Sequence, residues 1–206
     1  MKTELFGGRL TSSLAAFDLT KYDIAAGDPN PAHQGFSILV GEVRSTGLEY
    51  NLQGEVARNW NAILNFSLAR PNVVQGASGA PLYGFNSAEN IVTGMMLPGV
   101  PERTFSLWTS YRPPASAWKL GSGLNWASSE TPAYGASLTA PAYWTTALFA
   151  AFDARIAGLA TTLQLNVNNV FDRVYEIYFP EAASSNLANL AYGTPRQVKV
   201  SARAEF

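Results

Sequence analysis

No cysteine occurs anywhere in this chain of 206 residues, which excludes disulfides and thiolate metal sites. Histidine is almost as scarce. His33 is the single one, so a zinc centre built from converging imidazoles has no material. A Ser–His hydrolase would need that imidazole held against a serine by an orienting group, and the flanking Asp28-Pro29-Asn30-Pro31-Ala32 suggests no rigid frame for it. Charge is thin as well: 14% of residues are ionisable Asp, Glu, Lys or Arg, against roughly 25% in a typical soluble domain. A net charge of −1 gives no argument for a nucleic-acid partner. Long apolar runs are missing too. The longest resemble Ala147-Leu148-Phe149-Ala150-Ala151-Phe152, far short of the ~18 residues of a transmembrane helix. Gly7-Gly8 and Gly121-Ser122-Gly123 precede no helical pattern, so no phosphate-cradling loop is expected. Neither catalytic residues nor a protein metal site emerge.

What is abundant is aromatic and alternating. Aromatics make up 12%, with five Trp and nine Tyr. In the last residues Val198, Val200, Ala202, Ala204 and Phe206 fall on one side of an extended chain, and Lys199, Ser201, Arg203 and Glu205 on the other. The same period recurs upstream. Leu48, Tyr50, Leu52 and Val56 oppose Glu49, Asn51, Gln53 and Glu55. Phe105, Leu107, Thr109 and Tyr111 oppose Ser106, Trp108 and Ser110. Read along the chain, a stub at Lys2 to Leu5 precedes eight strands. They are placed at about Leu10–Tyr22, Ile38–Val56, Trp60–Leu68, Phe105–Tyr111, Trp118–Trp126, Trp144–Asp153, Leu163–Val167 and Val198–Phe206. The stretch Pro71 to Glu102 carries no sustained period.

Connections alternate between tight turns and long loops. Gly7-Gly8, Asn59, Pro113-Pro114 and Gly158 mark the turns, and Asp23–Ser37, Pro71–Glu102, Ser128–Ala142 and Asp172–Leu190 the loops. Short turns at one end and long loops at the other describe a transmembrane antiparallel β-barrel, all-β, with periplasmic turns and extracellular loops. A soluble β-sandwich would also alternate, but its solvent face would be rich in Lys and Glu. Here the polar set is mostly Asn, Ser, Gln, Thr and Gly. Trp60, Tyr111, Trp118, Trp126, Tyr143, Trp144 and Phe206 gather at strand ends, as in interfacial girdles. A passive porin-like barrel is a further alternative; it would need a constriction of opposed charges that the sequence does not display. Met1 to Arg9 carries no export signal, so the chain is expected to begin inside a larger protein.

Several segments resemble the C-terminal part of TonB-dependent outer-membrane receptors, above all ferric-siderophore receptors. Gly41-Glu42-Val43-Arg44-Ser45-Thr46-Gly47-Leu48-Glu49 is similar to that family's G-x-x-R-S-x-G-hydrophobic-E strand. Pro98-Gly99-Val100-Pro101-Glu102-Arg103 with Leu107-Trp108-Thr109-Ser110-Tyr111 resembles its "lpnvPrh…lwt.Y" segment. Leu165-Asn166-Val167-Asn168-Asn169-Val170-Phe171-Asp172-Arg173-Val174-Tyr175 is similar to N-V-x-N-L-F-D-x-x-Y, and Tyr192-Gly193-Thr194-Pro195-Arg196 running to Phe206 matches the terminal Y-G-x-P-R…F. One position departs: Ala147 stands where the family usually carries Asp.

The resemblance implies about eight strands plus a stub of a ~22-stranded barrel, with residues 1–206 as its C-terminal portion and the plug and first half of the barrel absent. It implies TonB-dependent uptake of a ferric siderophore in the Gram-negative outer membrane, with no enzymatic activity. No cofactor is implied, since the siderophore's own oxygens hold the iron. Implied partners are the siderophore, the TonB–ExbB–ExbD complex acting through the missing plug, the barrel-assembly machinery, and outer-membrane lipid with lipopolysaccharide. Ligand contact is expected from loop aromatics Tyr83, Phe85, Tyr178 and Phe179. Phe206 is expected to be the terminal assembly signal. Gly47, Glu49, Asn168, Asn169, Phe171, Asp172, Tyr175, Gly193, Pro195 and Arg196 are expected to act structurally. Glu49, Arg44, Arg103 and Arg203 are expected to pair inside the wall or contact the plug, and Arg196 to face headgroup or lipopolysaccharide phosphate.

Overall fold

The computed structural model describes the chain except for residues 28–30, 34–35, 40, 76–92, 98, 131–138, 179–189 and 206. Among the described residues the strands are β1 (Lys2–Leu5), β2 (Leu10–Lys21), β3 (Ala25–Gly27), β4 (Ser37–Leu39), β5 (Glu42–Ala57), β6 (Trp60–Gln75), β7 (Arg103–Tyr111), β8 (Trp118–Ala127), β9 (Tyr143–Ile156), β10 (Leu159–Asn168), β11 (Glu176–Tyr178), β12 (Leu190–Tyr192) and β13 (Gln197–Glu205). Nine of them form one sheet in the order β1-β2-β5-β6-β7-β8-β9-β10-β13. Every neighbouring pair is antiparallel. These are the eight strands and the stub of the sequence pattern, and the sheet ends on β1 and β13 as its two edges.

Strict alternation makes the sheet two-faced, because residues directly opposite in an antiparallel ladder share a face. On one face Tyr50, Phe66, Phe105, Trp126 and Trp144 stand side by side across five strands. Next to that row come Leu52, Leu64, Leu107 and Leu124. Toward the other strand ends run Trp60, Tyr111, Leu120, Ala150, Leu165 and Val200. Trp60 meets Tyr111 edge-on at 6.3 Å between centroids, and Trp118 meets Phe152 at 4.8 Å. On the opposite face Ser13, Asn51, Asn65, Ser106, Asn125 and Thr145 form a polar row across six strands.

No second layer covers the apolar face among the described residues. Leu48, Leu120, Leu148 and Leu165 remain between 42% and 48% exposed, and Val200 is 75% exposed. A β-sandwich buries that face against a partner sheet, so the sandwich alternative is overturned.

The turns at one end are tight. Ala157 (φ 51°) and Gly158 (φ 83°) close the β9–β10 hairpin with both central residues at positive φ, the backbone twist that suits a two-residue hairpin. Asn59, at φ 62°, serves the β5–β6 turn. The long connections all leave from the other end.

Three details differ from the sequence expectation. Ile38 and Leu39 lie in β4, which pairs with β3 in a small hairpin; the main strand starts at Glu42. β6 continues through Pro71 to Gln75, although that stretch shows no period. It is held by pairing to β5, with Val73 opposite Val43 and both buried. The Asp172–Leu190 loop opens and closes on the β11–β12 hairpin. Short pairings of this kind are fixed by a partner strand rather than by local pattern.

Trp108 sits on the polar face, and its neighbours explain why. It stacks on Phe149 at 5.4 Å with planes 9° apart. The two rings reach over β8 from either side and occupy the space above Gly121 and Gly123, where a Cβ would lie 2.1 Å from Phe149 and 2.6 Å from Trp108. The glycines are what let two large rings lie on an otherwise polar wall.

Candidate functional site

Chemistry-bearing groups gather where β10 leaves the sheet and β13 enters it. Asn169 is 6% exposed and sits at φ 47°, a left-handed backbone that asparagine tolerates better than most residues. Its amide donates to the carbonyls of Arg173 (2.8 Å) and Thr194 (3.1 Å), and its carbonyl oxygen accepts from the Arg173 N–H (3.0 Å). Asp172, also left-handed at φ 51°, accepts from the backbone N–H of Arg196 at 2.8 Å and pairs with its guanidinium at 3.8 Å. The Gly193 N–H donates to the Tyr175 carbonyl at 2.8 Å. A Cβ at Gly193 would fall 2.0 Å from the Tyr175 ring, so only glycine lets that ring seat there. The Asn169–Asp172 and Gly193–Arg196 segments, far apart in sequence, form one clasp.

Around the clasp lies an aromatic collar. Phe171, 64% exposed, meets Trp144 edge-on at 5.5 Å, and the Arg173 guanidinium lies 4.6 Å over the Trp144 ring. Tyr143 stacks on Tyr175 at 4.4 Å. Tyr175 was visible as a motif residue. Tyr143 as its partner was not, because alternation assigns a residue to a face and says nothing of its lateral neighbour.

Two grooves open on the polar face beside the collar. One, of about 470 Å³, is lined by Glu49, Asn51, Asn65, Ser106, Asn125 and Tyr143 among others. The second, of about 270 Å³, is lined by Asn125, Thr145, Asn168, Tyr175, Thr194 and Gln197 among others. The two asparagines of the motif therefore diverge: Asn169 is spent on the clasp and Asn168 faces the groove.

Gly47 lies under Phe17, where a Cβ would come within 2.1 Å of the Leu68 carbonyl and 2.4 Å of the Phe17 ring. Glu49 lies on the polar face, opposite Ala15 and Ser67, and has no partner among the described residues. Arg44 shares the parity of Leu48 on the opposite face and forms a two-pronged pair with Asp18, its Nε donating at 2.7 Å. Arg44 thus pairs within the sheet, and the register sets Arg44 and Glu49 on opposite faces. Arg203 contacts Glu205 on its own strand at 3.7 Å. At the tight-turn end of the polar face Asp153 accepts from Arg112 (2.8 Å) and from the Thr162 hydroxyl (2.7 Å); sequence spacing gave no hint of this trio. Tyr83, Phe85, Phe179 and Phe206 lie outside the described residues, and of Tyr178 only the backbone, in β11, is described. No group of three or more His, Asp or Glu suited to a metal ion occurs among the described residues.

Comparison with known proteins gives a consistent picture. The family model described as TonB dependent receptor-like, beta-barrel matches residues 1–170. The ferric-pyoverdine 358 receptor of Pseudomonas putida is 31% identical over 215 residues, a match that spans all of this chain and 23% of that protein. The metal-pseudopaline receptor of Pseudomonas aeruginosa is 29% identical over 98% of this chain and 26% of its own length. The chain thus spans about a quarter of these relatives. Among solved structures, the ferric preacinetobactin receptor of Acinetobacter baumannii superposes with a TM-score of 0.76 at 21% identity, covering 98% of this chain and 28% of that one. The ferripyoverdine receptor of Pseudomonas aeruginosa gives 0.74 at 23%, covering 100% of this chain and 26% of that one. At such identities the structures speak for the fold.

Proposed function

This chain belongs to the TonB-dependent receptor β-barrel family, and from that premise we propose that it forms part of the wall of an outer-membrane receptor that imports a ferric siderophore. The observation that carries the reading is the single-layer, two-faced sheet. Its apolar face is bounded by an aromatic row toward the long connections and by the Trp60–Tyr111 and Trp118–Phe152 pairs toward the tight turns. β7, β8, β10 and β13 run 9 or 10 residues, the length of a tilted strand that crosses a bilayer, roughly 9–11. Facing lipid, the exposed leucines need no protein cover; facing water, the Asn/Ser/Thr row lines a lumen. The named relatives are receptors for ferric pyoverdine and metal-pseudopaline, which supports transport rather than catalysis. Iron rides on the siderophore, and the protein holds no cofactor of its own.

Within this reading Glu49, unpaired on the lumenal face, contacts the plug, and the plug carries the link to TonB–ExbB–ExbD. Arg173 and Arg196, among the collar aromatics, face lipid headgroup or lipopolysaccharide phosphate. The long connections face outward from the cell, and the loop aromatics Tyr83, Phe85, Tyr178 and Phe179 supply ligand contact. Orientation is testable by labelling. In a full-length receptor on intact cells, Ser78→Cys reacts with a membrane-impermeant thiol reagent and Asn59→Cys does not. The reverse pattern would sink the orientation, and equal labelling would sink the barrel.

Phe206 gives a second expectation. β13 puts Val198, Val200, Ala202 and Ala204 on the apolar face, and the place of Phe206 at the membrane boundary is proposed from the sequence alternation alone. Deleting Phe206 from a full-length receptor lowers the assembled amount far more than Phe206→Tyr or Phe206→Trp does, read as heat-modifiable protein in outer-membrane fractions. Unchanged assembly after deletion removes its role as the signal read by the barrel-assembly machinery.

A further inference from the structure

Polar side chains on the inner face are not all equally occupied. Asn65 donates to Ser106, Gln164 to Asn166, and Thr162 to Asp153. At the rim near the long connections, Asn125, Thr145, Asn168 and Gln197 bond no other side chain among the described residues. They nonetheless sit together: Asn125 pairs across the ladder with Thr145, and Asn168 with Gln197. All four line the groove of about 270 Å³. Asn125 is shared with the larger neighbouring groove, and so joins the two.

The groove is pre-formed. Buried Asn169 beside it is fixed by three hydrogen bonds. The Tyr175 ring is seated on Gly193 and stacked on Tyr143. A wall held this way loses little freedom when a ligand arrives. The residues lining this groove are all uncharged, so it offers an anion no countercharge. What it presents is unspent amide and hydroxyl groups, able to donate and accept at once, beside a tyrosine edge.

We propose that Asn125, Thr145, Asn168 and Gln197, flanked by the Tyr143–Tyr175 stack, form a subsite for the uncharged amide- or hydroxyl-bearing part of the ligand. The subsite rests on the reading of the chain as a siderophore-receptor wall and names the ligand chemistry that wall selects. It favours amide-rich chelates over compact polyanionic ones, because each unpaired amide left facing an unsuitable ligand costs affinity.

The test uses a full-length receptor with this chain as its C-terminal barrel portion, and two probes. One is ferrioxamine B, a trihydroxamate chelate that also carries amides; the other is ferric citrate, a compact polyanion without any amide. Binding is read by quenching of intrinsic fluorescence, and assembly separately by heat-modifiable mobility. The unaltered receptor binds ferrioxamine B more tightly. Asn168→Leu with Gln197→Leu weakens that binding about tenfold while assembly is kept, and Asn125→Leu, on the neighbouring strands, weakens it in the same direction. Undiminished ferrioxamine binding by assembled variants overturns the subsite, as does a preference of the unaltered receptor for the citrate chelate. Binding of neither chelate by the unaltered receptor overturns the stated preference, while the siderophore-receptor reading stands or falls separately on TonB-dependent growth of a strain carrying that receptor with a ferric siderophore as sole iron source.

Discussion

Expressed alone, these 206 residues will not restore growth of a receptor-deficient strain on a ferric siderophore as sole iron source. The sheet ends on β1 and β13, and neither edge finds a partner in the described structure. In hydrocarbon each unpaired backbone N–H or C=O costs several kcal/mol, and a row of them along two strands exceeds the few kcal/mol by which domains are usually stable. Closing the sheet on itself would satisfy the edges. A barrel of about eight strands, however, has an interior just wide enough to fill with side chains, and Trp108 with Phe149 already projects two rings onto that face. No ferric chelate would pass. The expressed chain is therefore expected to aggregate, to be degraded, or to form at most a small closed barrel. TonB-dependent rescue by these residues alone would overturn the account of what surrounds them.

Replacing Asn169 by alanine is expected to loosen the end of the sheet where β13 joins it. Three hydrogen bonds vanish, and the Thr194 carbonyl and the Arg173 N–H and carbonyl lose their partner near a residue only 6% exposed. Losing buried partners of this kind costs roughly 2–4 kcal/mol. Alanine is also poorly suited to φ 47°, a further cost of about 1 kcal/mol. Asn169→Gly keeps the backbone conformation and should lose only the first part, so glycine is expected to fall between asparagine and alanine. The measurement is the urea midpoint for loss of heat-modifiable mobility in detergent, with a full-length receptor. Asp172→Ala serves as comparison. It carries a similar backbone cost at φ 51°, but it frees the Arg196 N–H and the Arg196 guanidinium at an exposed site, where an ion pair adds little, so its effect is expected to be smaller. Equal midpoints for asparagine, glycine and alanine at position 169 would remove the clasp as a stabilising feature.

Much of this architecture can be read from the chain itself, and particular residues show why. Leu48, Tyr50 and Leu52 against Glu49, Asn51 and Gln53 can share two faces only as a strand, since the period of two is a local property of extended backbone. The same holds for the tight turns, where Asn59 and Gly158 carry the positive φ those hairpins need. Hence the nine strands of the main sheet, their antiparallel sequential order and the end at which the long connections lie all follow without coordinates. β4 and the far end of β6 do not follow. Ser37–Leu39 and Pro71–Gln75 are held by partners rather than by their own pattern, and a pattern-based reading stops where the pattern does.

Lateral identity is what the amino-acid order leaves open. Alternation says that Trp108 faces away from Leu107, yet only the registers of β7 on β8 and β8 on β9 bring Trp108 and Phe149 together over Gly121 and Gly123. Arg44 and Glu49 invite pairing by their charges, but their odd separation along one strand sends them to opposite faces, and Arg44 finds Asp18 instead. Asn168 and Asn169 are neighbours of one residue type. The backbone turns at Asn169, so one amide is buried in the clasp with Arg173 and Thr194 while the other opens onto the groove beside Gln197. Fold class and topology were determined by the sequence, because periodicity and turn chemistry act over a few residues. The clasp, the inward stack and the unspent rim amides were decided by the tertiary structure, because each depends on which residue of one strand is placed opposite which residue of another.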